Sequence, residues 1–213
     1  MMKRIAIGTF AFSVAFLQWG AAGRVVGADA GTGSIKGEIT ANGVRSPEGV
    51  VVYIESMPGE QKPPEAPVEV DQKKLVFVPH VLAIVKGTQV IFKNGDPLLH
   101  NVFWIASDDG SYPAQNLGTW GQGDKKTYTF DKLGHVGLLC NIHPEMEGYI
   151  VVLQNPFLAV VGKDGAYEIK NVPPGDYVVK TWYSKPKKLK SKSEKVNVSA
   201  GKTASLDFTL SKS

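Results

Sequence analysis

The chain has 213 residues, with 24 basic and 20 acidic side chains and a formal net charge of +4. Setting aside Lys3, Arg4, Arg24 and Asp29 in the first 30 residues leaves 21 basic and 19 acidic residues, or +2, a balance that marks no polyanionic partner such as nucleic acid. One cysteine excludes an internal disulfide, and no Gly-rich phosphate loop, His-Glu-x-x-His helix or Gly-x-Ser-x-Gly elbow is present, which sets aside the common nucleotide and hydrolase chemistries.

Met1 to Arg4 carries Lys3 and Arg4, Ile5 to Trp19 is almost wholly apolar, and small residues follow down to Ala28-Asp29-Ala30. This is the pattern of a secretory signal peptide over residues 1–30, with cleavage after Ala28 or Ala30. The apolar run is short for a membrane span of about twenty residues. The expectation is a soluble mature protein, periplasmic or secreted, with no transmembrane segment after cleavage. Outside the cytosol an unpaired thiol needs another use, and metal ligation supplies one.

The remainder is rich in Gly and Pro, and short runs of Val, Ile, Thr, Tyr and Phe alternate with turn residues while helical periodicity is never sustained. The expected fold class is all-β. Ser34 to Thr40 and Val50 to Glu55 read as strands separated by a turn-rich stretch, and Met57 to Pro67 as a stiff proline-rich connector. Leu75 to Pro79 and Ile84 to Asn94 read as strands. Ser107 to Lys126 is polar and glycine-rich and reads as a long crossing loop. Thr127 to Phe130 alternates as a strand, and Asp131 to Gly134 turns the chain toward Cys140. Trp104, Tyr112 and Trp120 are expected as packing residues rather than electron relays.

Leu138 to Val152 sets Cys140, His143 and Met146 three residues apart between two apolar strands. A soft thiolate, an imidazole and a weak thioether suit copper cycling between Cu(I) and Cu(II), and His100 in Leu-Leu-His-Asn-Val-Phe provides the second imidazole that such a site requires. Zinc also accepts Cys and His, but structural zinc sites favour several thiolates and gain nothing from a thioether. His80 and His135 follow Pro79 and Gly134 and are expected as solvated turn residues without a metal role. With only four histidines in the chain, no cluster remains for copper oxidase chemistry.

The spacing Cys-x-x-His-x-x-Met after an upstream His-Asn-Val resembles the cupredoxins, the small blue copper proteins of amicyanin and plastocyanin type, over roughly residues 66–153. The resemblance implies a Greek-key β-sandwich holding one type 1 copper through His100, Cys140, His143 and the long axial Met146, with Asn101 bracing the loop. It also implies a one-electron carrier, not an enzyme, working between a redox protein donor and acceptor. A copper-holding or delivery protein would use the same residues in a more open site, and an adhesion module would rely on the rest of the chain.

After Leu153 come Phe157 to Val161, Ala166 to Lys170 and Asp176 to Tyr183, split by Gly162-Lys-Asp-Gly165 and Asn171-Val-Pro-Pro-Gly175. With Gly-x-Ile-x-Gly-x-Ile near Ser34, these strands resemble a carboxypeptidase regulatory-like β-sandwich split into residues 33–56 and 156–210, with the copper segment between the halves; the alternative is two β modules in tandem, with the first strands pairing into the copper domain. The combination is similar to proteins of methylamine-utilisation type. Lys185, Lys187, Lys188, Lys190, Lys192 and Lys195 crowd one hairpin, where they form either a solvated loop or a surface that steers an acidic partner.

Overall fold

A computed structural model describes residues 31–59, 61–185 and 187–212. The expected signal peptide, residues 1–30, lies outside them. All regular structure among the described residues is β, in agreement with the expected fold class. The chain opens with β1 (Gly33–Ala41), β2 (Val51–Ile54), β3 (Val68–Lys73), β4 (Val76–Val78), β5 (Val81–Val85) and β6 (Thr88–Asn94). It continues with β7 (His100–Trp104), β8 (Gln115–Trp120), β9 (Lys125–Phe130), β10 (Gly134–Leu139) and β11 (Glu147–Leu153). The final part adds β12 (Leu158–Val160), β13 (Ala166–Val172), β14 (Gly175–Trp182), β15 (Ser193–Val198), β16 (Thr203–Ser205) and β17 (Phe208–Leu210).

Four sheets result. The middle strands form the sheets β5-β11-β10-β7-β8 and β4-β3-β6-β9, which enclose a core that includes Val70, Phe92, Trp104, Phe130, Leu138 and Ile150. The flanking strands form β12-β2-β14-β15 and β13-β1-β16, with β17 also on β1, around a second core that includes Ile35, Val52, Ile169, Val179 and Phe208. Period-two burial aims these side chains inward: on β13, Tyr167 and Ile169 are buried while Ala166 is exposed.

Two strands are apolar on both faces because each serves two cores. On β11, Ile150 and Val152 enter the middle core, while Tyr149, Val151 and Leu153 point the other way into a third cluster. On β2, Val52 and Ile54 enter the flanking core, and Val51 joins that third cluster with Val81. The third cluster is the seam between the sandwiches, with Tyr53 and Trp182 packed against it. Each aliphatic side chain fully buried there contributes about 1.5–3 kcal/mol. An unbroken apolar run such as Tyr149 to Leu153 is the sequence mark of a strand covered on both sides.

Three expectations require correction. Residues 107–126 contain β8, which pairs antiparallel with β7. Asn116 and Gly118 hide this strand in the sequence, and Gly118 has a left-handed φ of 88° inside it. The expected run from Ile84 to Asn94 is broken at Gly87, whose φ of 90° lets the chain leave the sheet of β5 and enter that of β6. His135 is half-buried on β10 opposite Val151, with its ring 5.5 Å from that of Trp182, so packing across the seam replaces the expected solvated turn.

Candidate metal centre

The donors come from two neighbouring strands and one loop. His100 is the first residue of β7, and Cys140 directly follows the last residue of β10. These strands are adjacent, with Leu139 opposite Phe103. Residues 140–146 then turn into β11, closed by a hydrogen bond from the Met146 amide to the His143 carbonyl at 3.0 Å. The sheet therefore brings an imidazole and a thiol together, and the loop folds a second imidazole over them.

The Nδ1 atoms of His100 and His143 face each other at 3.1 Å, and Cys140 Sγ lies 3.9 Å from His143 Nδ1. The ligand atoms of all three residues lie within 4.8 Å of one another. His100 and Met146 are fully buried, Cys140 is buried and His143 is half-buried. Met146 and Cys140 belong to the same core cluster. Two imidazoles, one sulfur and a nearby thioether form a soft, mixed donor set that fits copper, whereas zinc would gain nothing from the thioether. His80 stands apart from this group: its Nδ1 lies 2.9 Å from the Glu147 carbonyl, and its ring meets Tyr149 edge-on.

Two residues brace the donors. The Asn101 amide donates to Cys140 Sγ at 3.4 Å, and the Asn101 side chain donates to Asn116 Oδ1 and the Gly118 carbonyl of β8, which ties the sulfur to the sheet. Asp96 accepts the Lys74 amide at 2.7 Å and the Leu75 amide at 3.0 Å, and its Oδ2 lies 3.0 Å from His100 Nε2. Burial works to raise the Asp96 pKa, but the Leu75 and Lys74 amides and His100 outweigh it and hold the carboxyl below its ordinary value. The ionised carboxylate favours His100 with its proton on Nε2, leaving Nδ1 free as a ligand. Lys74 and Leu75 both have positive φ, a conformation costly for side-chain-bearing residues, and Asp96 is what caps their amides.

Asp96 stands four residues before His100, but nothing in the sequence marks it for this role, because the two amides that fix its carboxylate lie about twenty residues upstream on the β3–β4 turn. Asp96→Ala is expected to lower copper affinity by about 10–100-fold, measured by competition with a chelator, since it frees the His100 ring. Asp96→Asn should recover part of the loss through its remaining carbonyl oxygen. Equal affinity in Asp96→Ala and wild type would remove Asp96 from the support of the site.

Residues 64–153 match the family model described as copper binding proteins, plastocyanin/azurin family. Among solved structures, the chain is similar to a mutant amicyanin in its Cu(I) form, with 25% identity over 46% of this chain and 96% of that one and a TM-score of 0.38. It is also similar to an oxidised amicyanin mutant, with 24% identity, the same coverages and the same TM-score. A third similar structure is the Cu-containing nitrite reductase (NirK) from Thermus scotoductus SA-01, with 29% identity over 46% of this chain but 25% of that one and a TM-score of 0.39. No curated protein matches the chain. Residues 64–153 thus match a copper-binding family model and hold the donor set formed by His100, Cys140 and His143, which is consistent with a copper-binding domain for one type 1 copper.

Proposed function

We propose that this chain is an exported one-electron carrier of the blue copper class, not an enzyme, working between a redox protein donor and a redox protein acceptor. The observation that carries this reading is the convergence of three buried or half-buried donors within 4.8 Å on braced supports. Copper held by His100, Cys140, His143 and Met146 would supply the one-electron change. The protein's part is to keep those ligands still. Asp96 pins His100, the Asn101 amide holds Cys140, and the middle core encloses Met146. A site that moves little between oxidation states favours a carrier over a delivery protein, whose ligands must open for exchange.

Access for a partner would lie at the half-buried His143. Its neighbour Ile142 is 42% exposed, and Leu99, next to His100, is 58% exposed, so apolar side chains adjoin both imidazoles along the chain. The lysines between β14 and β15 would add long-range attraction for an acidic partner. The flanking strands are read as a carboxypeptidase regulatory-like sandwich, and residues 1–30 as the leader that directs the chain to the periplasm or beyond.

Addition of Cu(II) to the purified chain is expected to give an intense thiolate-to-copper absorption band and a blue or green colour at one equivalent. Binding of Cu(II) without such a band would show that the thiolate is not a short equatorial ligand and would overturn the type 1 reading.

A further inference from the structure

A cleft of about 680 Å³ opens between the two sandwiches, with no copper ligand in its lining. Its volume falls within the roughly 300–1,000 Å³ typical of small-molecule sites. The middle sandwich contributes Val81, at the start of β5, and the flanking sandwich contributes Val160 and Tyr183. Val160 is 43% exposed, so part of this wall is apolar surface open to solvent.

The polar side of the cleft is dominated by cations. Arg45, Lys185 and Lys188 line it, with Glu48 as the one carboxylate among the lining residues. Among the described residues, Arg45 and Lys188 make no ion pair, and Lys185 makes one, with Glu147 at 3.7 Å. The loop carrying Lys185 and Lys188 is anchored: the Lys188 and Leu189 amides donate to the Lys185 carbonyl, the Lys190 amide donates to Ser211, and Leu189 is buried. Two of the six hairpin lysines are thereby brought to the wall of the cleft. Cations gathered without enough carboxylates attract an anion, and a guanidinium among them can grip a carboxylate through two hydrogen bonds.

We propose that this cleft binds a small organic dianion with an apolar body, its acid groups held by Arg45, Lys185 and Lys188 and its body resting on Val81, Val160 and Tyr183. The proposal stands independently of the copper reading, because none of these residues is a metal ligand.

The test is calorimetric titration of the full chain with phthalate, at ionic strength matched with sodium chloride. One-to-one binding is expected. The double variant Arg45→Gln with Lys188→Gln should weaken it by at least about tenfold, the effect of losing about 1.4 kcal/mol. Lys125→Gln with Lys126→Gln, which removes two exposed charges from β9, should leave affinity within about twofold. Inorganic phosphate, which has charge but no apolar body, should bind more weakly than phthalate. Absence of phthalate binding, or equal weakening by the two double variants, would overturn the proposal. Equal affinity for phosphate and phthalate would overturn the apolar part of the site. Binding of a hexaglutamate peptide that requires Arg45 and Lys188, with no binding of phthalate, would also overturn it and make the cleft a docking site for acidic protein segments.

Discussion

Cys140→Ser is expected to abolish the intense visible band of the copper-loaded chain and to weaken copper binding by more than about 100-fold, beyond the 10–100-fold typical of losing a bracing partner. The sulfur lies 3.9 Å from His143 Nδ1 and accepts the Asn101 amide, so it is held among the donors. A serine hydroxyl is harder, shorter and far less acidic than a thiol, and it cannot reproduce a soft thiolate bond to copper. Because Cys140 makes no disulfide and serine is slightly smaller, the fold should survive. Absorption spectroscopy and chelator competition on the folded variant measure the two effects. A retained band would mean that the thiolate is not its source.

The largest effect on stability is expected at Gly37, on β1. A Cβ there would lie 1.8 Å from the Leu206 carbonyl oxygen and 2.6 Å from its carbon. Both are backbone atoms, so no rotamer change relieves the clash. The segment is also held in place: the Leu206 amide donates to the Lys36 carbonyl at 2.8 Å, and the Tyr167 hydroxyl donates to the Leu206 carbonyl at 2.5 Å. Gly37→Ala must push this segment away from β1, which carries β13 on one side and β16 and β17 on the other. The expected cost is about 4 kcal/mol or more, which places it among the exceptional single substitutions. That is a large share of the roughly 5–15 kcal/mol that holds a domain folded. Gly121→Ala is the control, because a Cβ there meets only Leu99 at 3.8 Å, an ordinary contact. Urea unfolding of the two variants beside wild type checks this. A wild-type midpoint for Gly37→Ala would mean that β1 and Leu206 do not approach so closely.

What could be read in the sequence depended on how local each signal was. Alternating β-branched and aromatic runs between Gly and Pro turns disclosed an all-β chain, because pleat and turn are both short-range properties. Cys140, His143 and Met146 declared themselves because one loop holds all three. His100 needed knowledge of the donor set, since β7 meets β10 only through the sheet. Asp96 had no visible role although His100 is only four residues on, because the amides that aim its carboxylate at that ring lie on a turn about twenty residues away. The strand β8 was masked by its own Asn116 and Gly118, whereas the break at Gly87 lies in a short polar stretch, Lys86-Gly-Thr-Gln89, flanked by apolar residues on both sides that read as one run. His135 looked like a turn residue because its packing partner, Trp182, lies on the other sandwich.

The double-sided strand β11 bears on how far the copper domain can be used as a separate part. A chain trimmed to residues 64–153 would keep Ile150 and Val152 in their core but turn Tyr149, Val151 and Leu153 outward beside Val81. Those side chains form a contiguous apolar face on a β-sheet, the kind of surface through which separate copies associate. Transplanting the domain into another protein therefore calls for repainting that face with polar residues such as Val151→Thr and Leu153→Lys, while leaving the alternate positions that point toward the metal loop's core untouched.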